Sequence, residues 1–401
     1  MGLGQTCSPD PQFAGASRHQ DPAKFSSKTP WNDHARLRAH AAHYTIIRFS
    51  ARTLCGIIRG MERPLVSFCL LFYNHREWFG AALEAAFAQT YRPLEIVISD
   101  DASTDGSAEL IQDYVAAHAP SDITVVFNHN PTNAGILGNW MKAVSLSHGE
   151  LLVMAGGDDI SLPDRTEKIV SAWVADDKRA IAVSHAGYRI DPAGRSLGAF
   201  PAPCIRAPLG AAMAWRRDCY SAFPSEPIRP FCVEDVPFAK RALMLGGDEL
   251  VIPDRLVQYR IGTGHTSPLR HHRASAIYGW RTWFPSLDQA EHDLDAVADR
   301  LSPERVADFR QTFAAERARA ENHLTLLESP SFRARWKAFR QERLTGFGAA
   351  APFMYTYLLP RRIGDWVLDG STRLNHLRRR LSRENCHGSG RACRGLERPA
   401  N

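Results

Sequence analysis

The sequence predicts an α/β fold, a mostly parallel sheet flanked by helices, with a helical C-terminal extension. Three observations carry that expectation. Apolar strand-like runs alternate with amphipathic helical segments from Val66 onward, the pattern of a parallel sheet with crossover helices. The first run, VSFCLLFY from Val66 to Tyr73, is apolar on both faces, as a strand covered on both sides must be. Tight turns at Asn74, Asp100 and Gly156 follow successive strands, at the end of a parallel sheet where ligands bind.

Taken in order, a buried strand over residues 66–73 is followed by a helix over 77–89, with Trp78, Phe79, Leu83, Ala86 and Phe87 on one face. A second strand (94–99, LEIVIS) leads to a helix over 107–117 built on Leu110, Ile111, Tyr114 and Val115. A strand at 123–127, a helix at 136–146 and a strand at 151–154 complete three and a half such units. After Pro163 the regularity weakens. The pattern predicts a helix at 164–174, a strand at 181–190, a turn at 191–194, a segment at 210–217, a helix at 235–245, and short strands near Val251 and at 257–260. Beyond Ser275 the periodicity is helical. Domain boundaries are expected at 1–60 (a poorly ordered extension), 61–270 (the α/β domain), 271–345 (helical) and 346–401 (a basic tail).

The chain has 401 residues and a formal net charge of +6, unevenly distributed. Nine Lys/Arg face four Asp/Glu in residues 1–63, and eight Arg face two Glu in 370–401, whereas the body is mildly acidic. Basic ends of this kind are solvated tails or contacts to an anionic surface. The tail also carries Phe353, Tyr355, Tyr357 and Leu358 ahead of Arg361 and Arg362, a composition suited to peripheral contact with a membrane. No nucleic-acid motif is present, and no apolar run reaches the 18 residues needed to span a bilayer. The eight cysteines include no pair at the two-residue spacing of zinc or redox sites, which fits a reducing, cytoplasmic location, peripheral on the inner membrane surface if the tail engages it.

Three acidic turns carry the chemistry. In SDDASTDGS, Asp100 and Asp101 stand at a strand's end, where a nucleobase imide and ribose hydroxyls could satisfy them; helix caps and turn formers are the competing reading. In GGDDISLPDR, Asp158 and Asp159 could hold Mn2+ or Mg2+, hard ions that take one or two carboxylates while phosphates fill other positions. Glu234-Asp235 precedes an amphipathic helix, where a carboxylate could accept a hydroxyl proton or serve only as a helix-start acid.

These pieces, in this order, resemble family 2 of the GT-A glycosyltransferases over residues 64–267: PLVSFCLLFYNH, Gln89-Thr90-Tyr91-Arg92-Pro93-Leu94-Glu95-Ile96, SDDASTDGS, Asn133-Ala134-Gly135, GGDDISLPDR, Glu234-Asp235 and Tyr259-Arg260. The resemblance implies a Rossmann-like GT-A fold and a nucleoside diphosphate sugar as donor, held by Tyr73, Asn74, Asp100, Asp101, Gly135 and Asp158. It further implies a metal at Asp158 and Asp159, Asp235 as catalytic base, inversion at the anomeric carbon, and a glycan or glycoconjugate acceptor. Gly156 stands where the first acid of an Asp-x-Asp-Asp motif is common, Leu71 and Phe72 replace smaller residues before Tyr-Asn, and Gly262 replaces a frequent His. The absence of Gln-x-x-Arg-Trp argues against a processive synthase. Competing readings are a catalytically degenerate sugar-nucleotide-binding or scaffolding module, and a nucleotidyltransferase, for which Tyr73-Asn74-His75-Arg76-Glu77 is not the Gly-rich basic loop required. A dinucleotide oxidoreductase would need a G-x-G-x-x-G that is missing.

Overall fold

The computed structural model describes residues 63–205, 208–226, 233–263, 273–345 and 358. The expected 1–60 extension and nearly all of the 346–401 tail lie outside the described residues.

Strands β1 (Val66–Phe72), β2 (Leu94–Asp100), β3 (Thr124–His129) and β4 (Leu151–Gly156) are parallel, in spatial order β3-β2-β1-β4. Every residue of β1 and β2 is buried, as the two-sided apolar sequence of β1 requires, and the polar Glu95 and Ser99 of β2 are buried with hydrogen-bond partners. Helices α1 (Phe79–Phe87), α2 (Ser107–His118) and α3 (Gly135–Ser145) make the crossovers. The first helix is shorter than the expected 77–89, because residues 74–78 form the loop that leaves β1.

The sheet continues without a break into the irregular half. β8 (Met213–Arg216) runs antiparallel to β4 and to β6 (Ala182–Ile190), and β9 (Glu249–Arg260) lies parallel to β6. β5 (Ile160–Ser161) and β7 (Ser196–Phe200) pair with β9 and β6 at the margins. The two short strands expected near Val251 and 257–260 are one 12-residue strand, whose pairing with β6 shifts register around Ala186.

One face of the sheet packs Phe68, Leu70 and Phe72 of β1 with Ile111 of α2 and Ile169 and Trp173 of α4 (Arg165–Ala175). The opposite face packs Cys69, Met154 and Trp215 with Trp140 of α3, Cys219 of α5 (Asp218–Ser221) and Phe238 of α6 (Asp235–Leu245). Each such side chain contributes about 1.5–3 kcal/mol when fully buried. Helices α7 (Arg273–Val297), α8 (Pro303–Glu328) and α9 (Phe332–Thr345) form the expected helical extension, and a separate core of Phe223, Met244, Leu287, Leu294 and Phe313 joins it to α6. Arg241 of α6 forms a fully buried pair with Asp293 of α7 (2.6 and 2.9 Å). Arg305 of α8 donates to the carbonyls of Leu243 and Met244, where the end of α6 favours positive charge. Among the described residues, no helix is long and apolar enough to cross a membrane.

Candidate active site

The carboxyl ends of β1, β2 and β4 lie side by side and bring the first two acidic turns to the same end of the sheet. Asn74, directly after β1, adopts φ 55°, a conformation asparagine tolerates better than most residues. Its backbone N–H donates to Ser103 Oγ and its side-chain oxygen accepts from the Thr104 N–H, so the loops after β1 and β2 are tied together. Tyr73 is half-buried beside it.

Asp100 and Asp101 are both buried, but their surroundings differ. Asp100 accepts from the Ser103 hydroxyl and N–H and lies 2.8 Å from His129 Nδ1, so both of its oxygens are engaged within the protein. Asp101 uses one oxygen, Oδ1, for Asn130 Nδ2 and the Ala134 N–H, which fixes the entry to α3 just before Gly135 (φ 76°). Asp105 serves the start of α2, accepting from the Ser107 N–H and hydroxyl. Capping thus accounts for Asp105 and Ser107, while Asp101 is the better placed of the adjacent pair to face a ligand.

At the end of β4 the carboxylates of Asp158 and Asp159 fold back over Gly156. A Cβ on Gly156 would lie 2.9 Å from Asp158 Oδ1 and 2.9 Å from Asp159 Oδ2, so the two oxygens converge on one small volume. The glycine is therefore a steric requirement of this arrangement. Gly157 is equally confined, since its Cβ would come within 2.3 Å of the Phe72 ring.

Two buried arginines hold this turn. Arg260 donates its N–H to Asp159 Oδ1 (2.8 Å) and its Nε to the Asp158 carbonyl (2.7 Å), and also bonds the carbonyls of Asp191 and Pro192. Arg165 lies behind, bonded to the Met154 carbonyl, Ser161 Oγ and His185 Nε2. Burial pulls the Arg165 guanidinium down to about 9, and burial together with the Arg165 charge holds His185 neutral, well below its usual value. Burial, then the neighbouring Asp158 charge, pushes Asp159 well above the usual carboxylate range. A cation placed between the two carboxylates would relieve both penalties, so the donor set fits Mn2+ or Mg2+. Among the described residues no group of three or more His, Cys, Asp or Glu could hold a metal. Substrate phosphates and water are suitable further ligands for such an ion.

The third acidic turn approaches from α6. The Asp235 carboxylate accepts backbone N–H bonds from Val236 and Gly210, and burial pushes it up to about 6. Glu234 is raised further by burial and by the Asp235 charge. Its Oε1 lies 2.6 Å from where a Gly210 Cβ would sit, a point also 2.9 Å from Met154 Sδ. Gly210 therefore sits between the acidic pair and β4.

The importance of Arg165, Arg260, His185 and Gln89 is invisible in the pattern of acidic turns. Gln89 accepts from the Thr166 N–H and hydroxyl and donates to the Leu162 carbonyl, fastening the segment after Asp159 to α1. The available signal was the presence of Gln89, Arg165 and Arg260 inside the quoted motifs; His185 lies in none of them.

Residues 67–218 match the family model described as glycosyl transferase family 2. EpsE of Bacillus subtilis (strain 168), provisionally named a glycosyltransferase, is 27% identical over 221 residues, covering 55% of this chain and 67% of EpsE. The abequosyltransferase RfbV of Salmonella typhimurium (strain LT2) is 33% identical over 102 residues, covering 25% of this chain and 30% of RfbV. This chain thus spans about two thirds of the length of the first and under a third of the second. Among solved structures, the mannosyltransferase PcManGT from Pyrobaculum calidifontis, in complex with GDP-Man and Mn2+, aligns with a TM-score of 0.47 at 18% identity, over 76% of this chain and 87% of that one. The acidic turns and the parallel sheet thus fall largely within the stretch, residues 67–218, that is similar to glycosyl transferase family 2.

Proposed function

We propose that the chain transfers a sugar from a nucleoside diphosphate donor to an acceptor hydroxyl with inversion, in the synthesis of a polysaccharide or other glycoconjugate. The observation that carries this reading is the convergence of Asp158 Oδ1 and Asp159 Oδ2 on one volume at the carboxyl end of β4, above Arg165 and beside Arg260. A divalent ion at these carboxylates would supply charge neutralisation for the departing diphosphate.

The protein's own groups do the rest. Tyr73, Asn74, Asp101 and Gly135 line the donor's nucleoside end, with Asp100 bracing the same loop through Ser103 and His129. Asp235 takes the acceptor hydroxyl's proton as that oxygen bonds to the anomeric carbon and the bond to the diphosphate oxygen breaks. Its backbone hydrogen bonds hold the carboxylate in place, and its raised pKa makes it a better proton acceptor than an exposed aspartate. The α/β domain over 61–270 would then act as the catalytic unit.

The test is a pair of neutral replacements. Asp235→Asn should lower turnover by about 10² to 10⁴ with donor affinity unchanged, while Glu234→Gln keeps most activity. Asp159→Asn should abolish Mn2+-dependent donor affinity. A dead Glu234→Gln beside an active Asp235→Asn would reverse the roles of the two acids.

A further inference from the structure

The solvent face of α9 has no role in the site described above. Its sequence is FRARWKAFRQERLT, and Phe332, Arg333, Trp336, Lys337, Arg340 and Gln341 are its exposed residues. At 100° per residue these fall on one half of the helix, with the aromatics at one edge and the three cations beside them. The inner half, Arg335, Ala338, Phe339 and Glu342, is buried. Phe332 is 58% exposed and Trp336 is 45% exposed, yet their rings stack on one another (6.2 Å, 17°) and Trp336 stacks on the buried Phe339 (5.7 Å). The exposed aromatics are therefore an outward continuation of a packed core. Tyr278, 45% exposed, lies on the part of α7 that Arg273 and Arg281 tie to Leu327 and Glu328, next to the start of α9.

We propose that this face of α9 docks on the surface of an anionic phospholipid bilayer. Its six exposed residues carry three positive charges and no acid, because the helix's single glutamate, Glu342, is turned inward toward Arg319. A second copy of the same face would be repelled, whereas anionic headgroups complement it. Aromatic rings at one edge of a basic helix suit the boundary between headgroups and acyl chains. The chain immediately after α9, residues 346–362, contains no acid and ends in Arg361-Arg362, so the sequence continues the same chemistry.

The test uses the full chain and sedimentation with vesicles of phosphatidylglycerol and phosphatidylcholine, against phosphatidylcholine alone. The wild-type chain should bind only the anionic vesicles and be released by high salt. Each cation near such a surface multiplies partitioning by about fivefold, so Arg333→Gln/Lys337→Gln/Arg340→Gln should lose on the order of 100-fold. Phe332→Ser/Trp336→Ser should lose binding while keeping its melting temperature and its sugar-nucleotide hydrolysis. Wild-type-like vesicle binding by both variants would assign any membrane contact to the tail and overturn the proposal. So would absence of binding by the wild-type chain, or a lipid-free dimer that the aromatic variant dissolves.

Discussion

Asp293→Asn should expose how much the helical extension supports α6. Asp293 and Arg241 are both fully buried, and the carboxylate meets the guanidinium through two bonds of 2.6 and 2.9 Å. Gln289 adds a third contact to the carboxylate, and the carbonyls of Cys219 and Pro224 accept the remaining guanidinium bonds. The amide preserves shape but leaves a buried cation without its counter-charge. Breaking such a pair from one side costs about 3–5 kcal/mol. At roughly 2–4 °C per kcal/mol for a domain of this size, melting should fall by roughly 10 °C. Replacing both partners by apolar residues, Arg241→Met with Asp293→Leu, should recover most of that loss, because the desolvation penalty disappears with the charges. Thermal unfolding followed by circular dichroism reads both variants. A single variant that melts within about 2 °C of wild type would refute the reasoning, since no buried charge would then have been uncovered.

Three further outcomes follow from other parts of the molecule. Burial pushes Glu249 up to about 7, above the roughly 4.3 of an unfolded chain, so the folded state holds a proton that the unfolded state releases. Its contribution, on the order of 3 kcal/mol, is fully present below about pH 4 and lost as pH rises through 7; Glu249→Gln should flatten that part of a denaturation series. On the proposed mechanism Asp235 acts in its deprotonated form, so kcat/KM should rise with pH along a limb near 6, and a profile flat from pH 5 to 8 would remove it as the base. Gly157→Ala places a methyl 2.3 Å from Phe72 Cδ1 and should cost about 1–3 kcal/mol by overpacking, measurable by urea titration, with weakened donor binding as the β4 turn shifts.

Much of the fold was legible because β1, β2 and β4 are largely apolar and buried along almost their whole length, which leaves little choice of layer; β3, at the sheet edge, is half-exposed. β9 was read as two strands because Pro253 and Asp254 interrupt its pattern, although its pairing with β6 absorbs the interruption as a register shift. β7 was missed because SLGAF is mostly exposed at the margin, where no core imposes alternation. The acidic turns were legible as candidate site residues, but not the different surroundings of Asp100 and Asp101. That difference depends on His129, Asn130 and Ala134, about 30 residues away in sequence. Arg165 and Arg260 escaped notice for the same reason: an arginine becomes a clamp only when folding surrounds it with carbonyls.

The family match ends at residue 218, ahead of α6, while the groups that seat α6 come from positions 289, 293 and 305. Grafting experiments should feel that division. On the proposed assignment, a core transplanted between relatives along the matched boundary would carry the donor-binding loops intact but leave Asp235 on a helix without its moorings. A chimera cut after α8 would move the helix and its moorings as one piece. Exchange of acceptor preference between relatives, on that assignment, is therefore best attempted at a seam far downstream of the end of the family match.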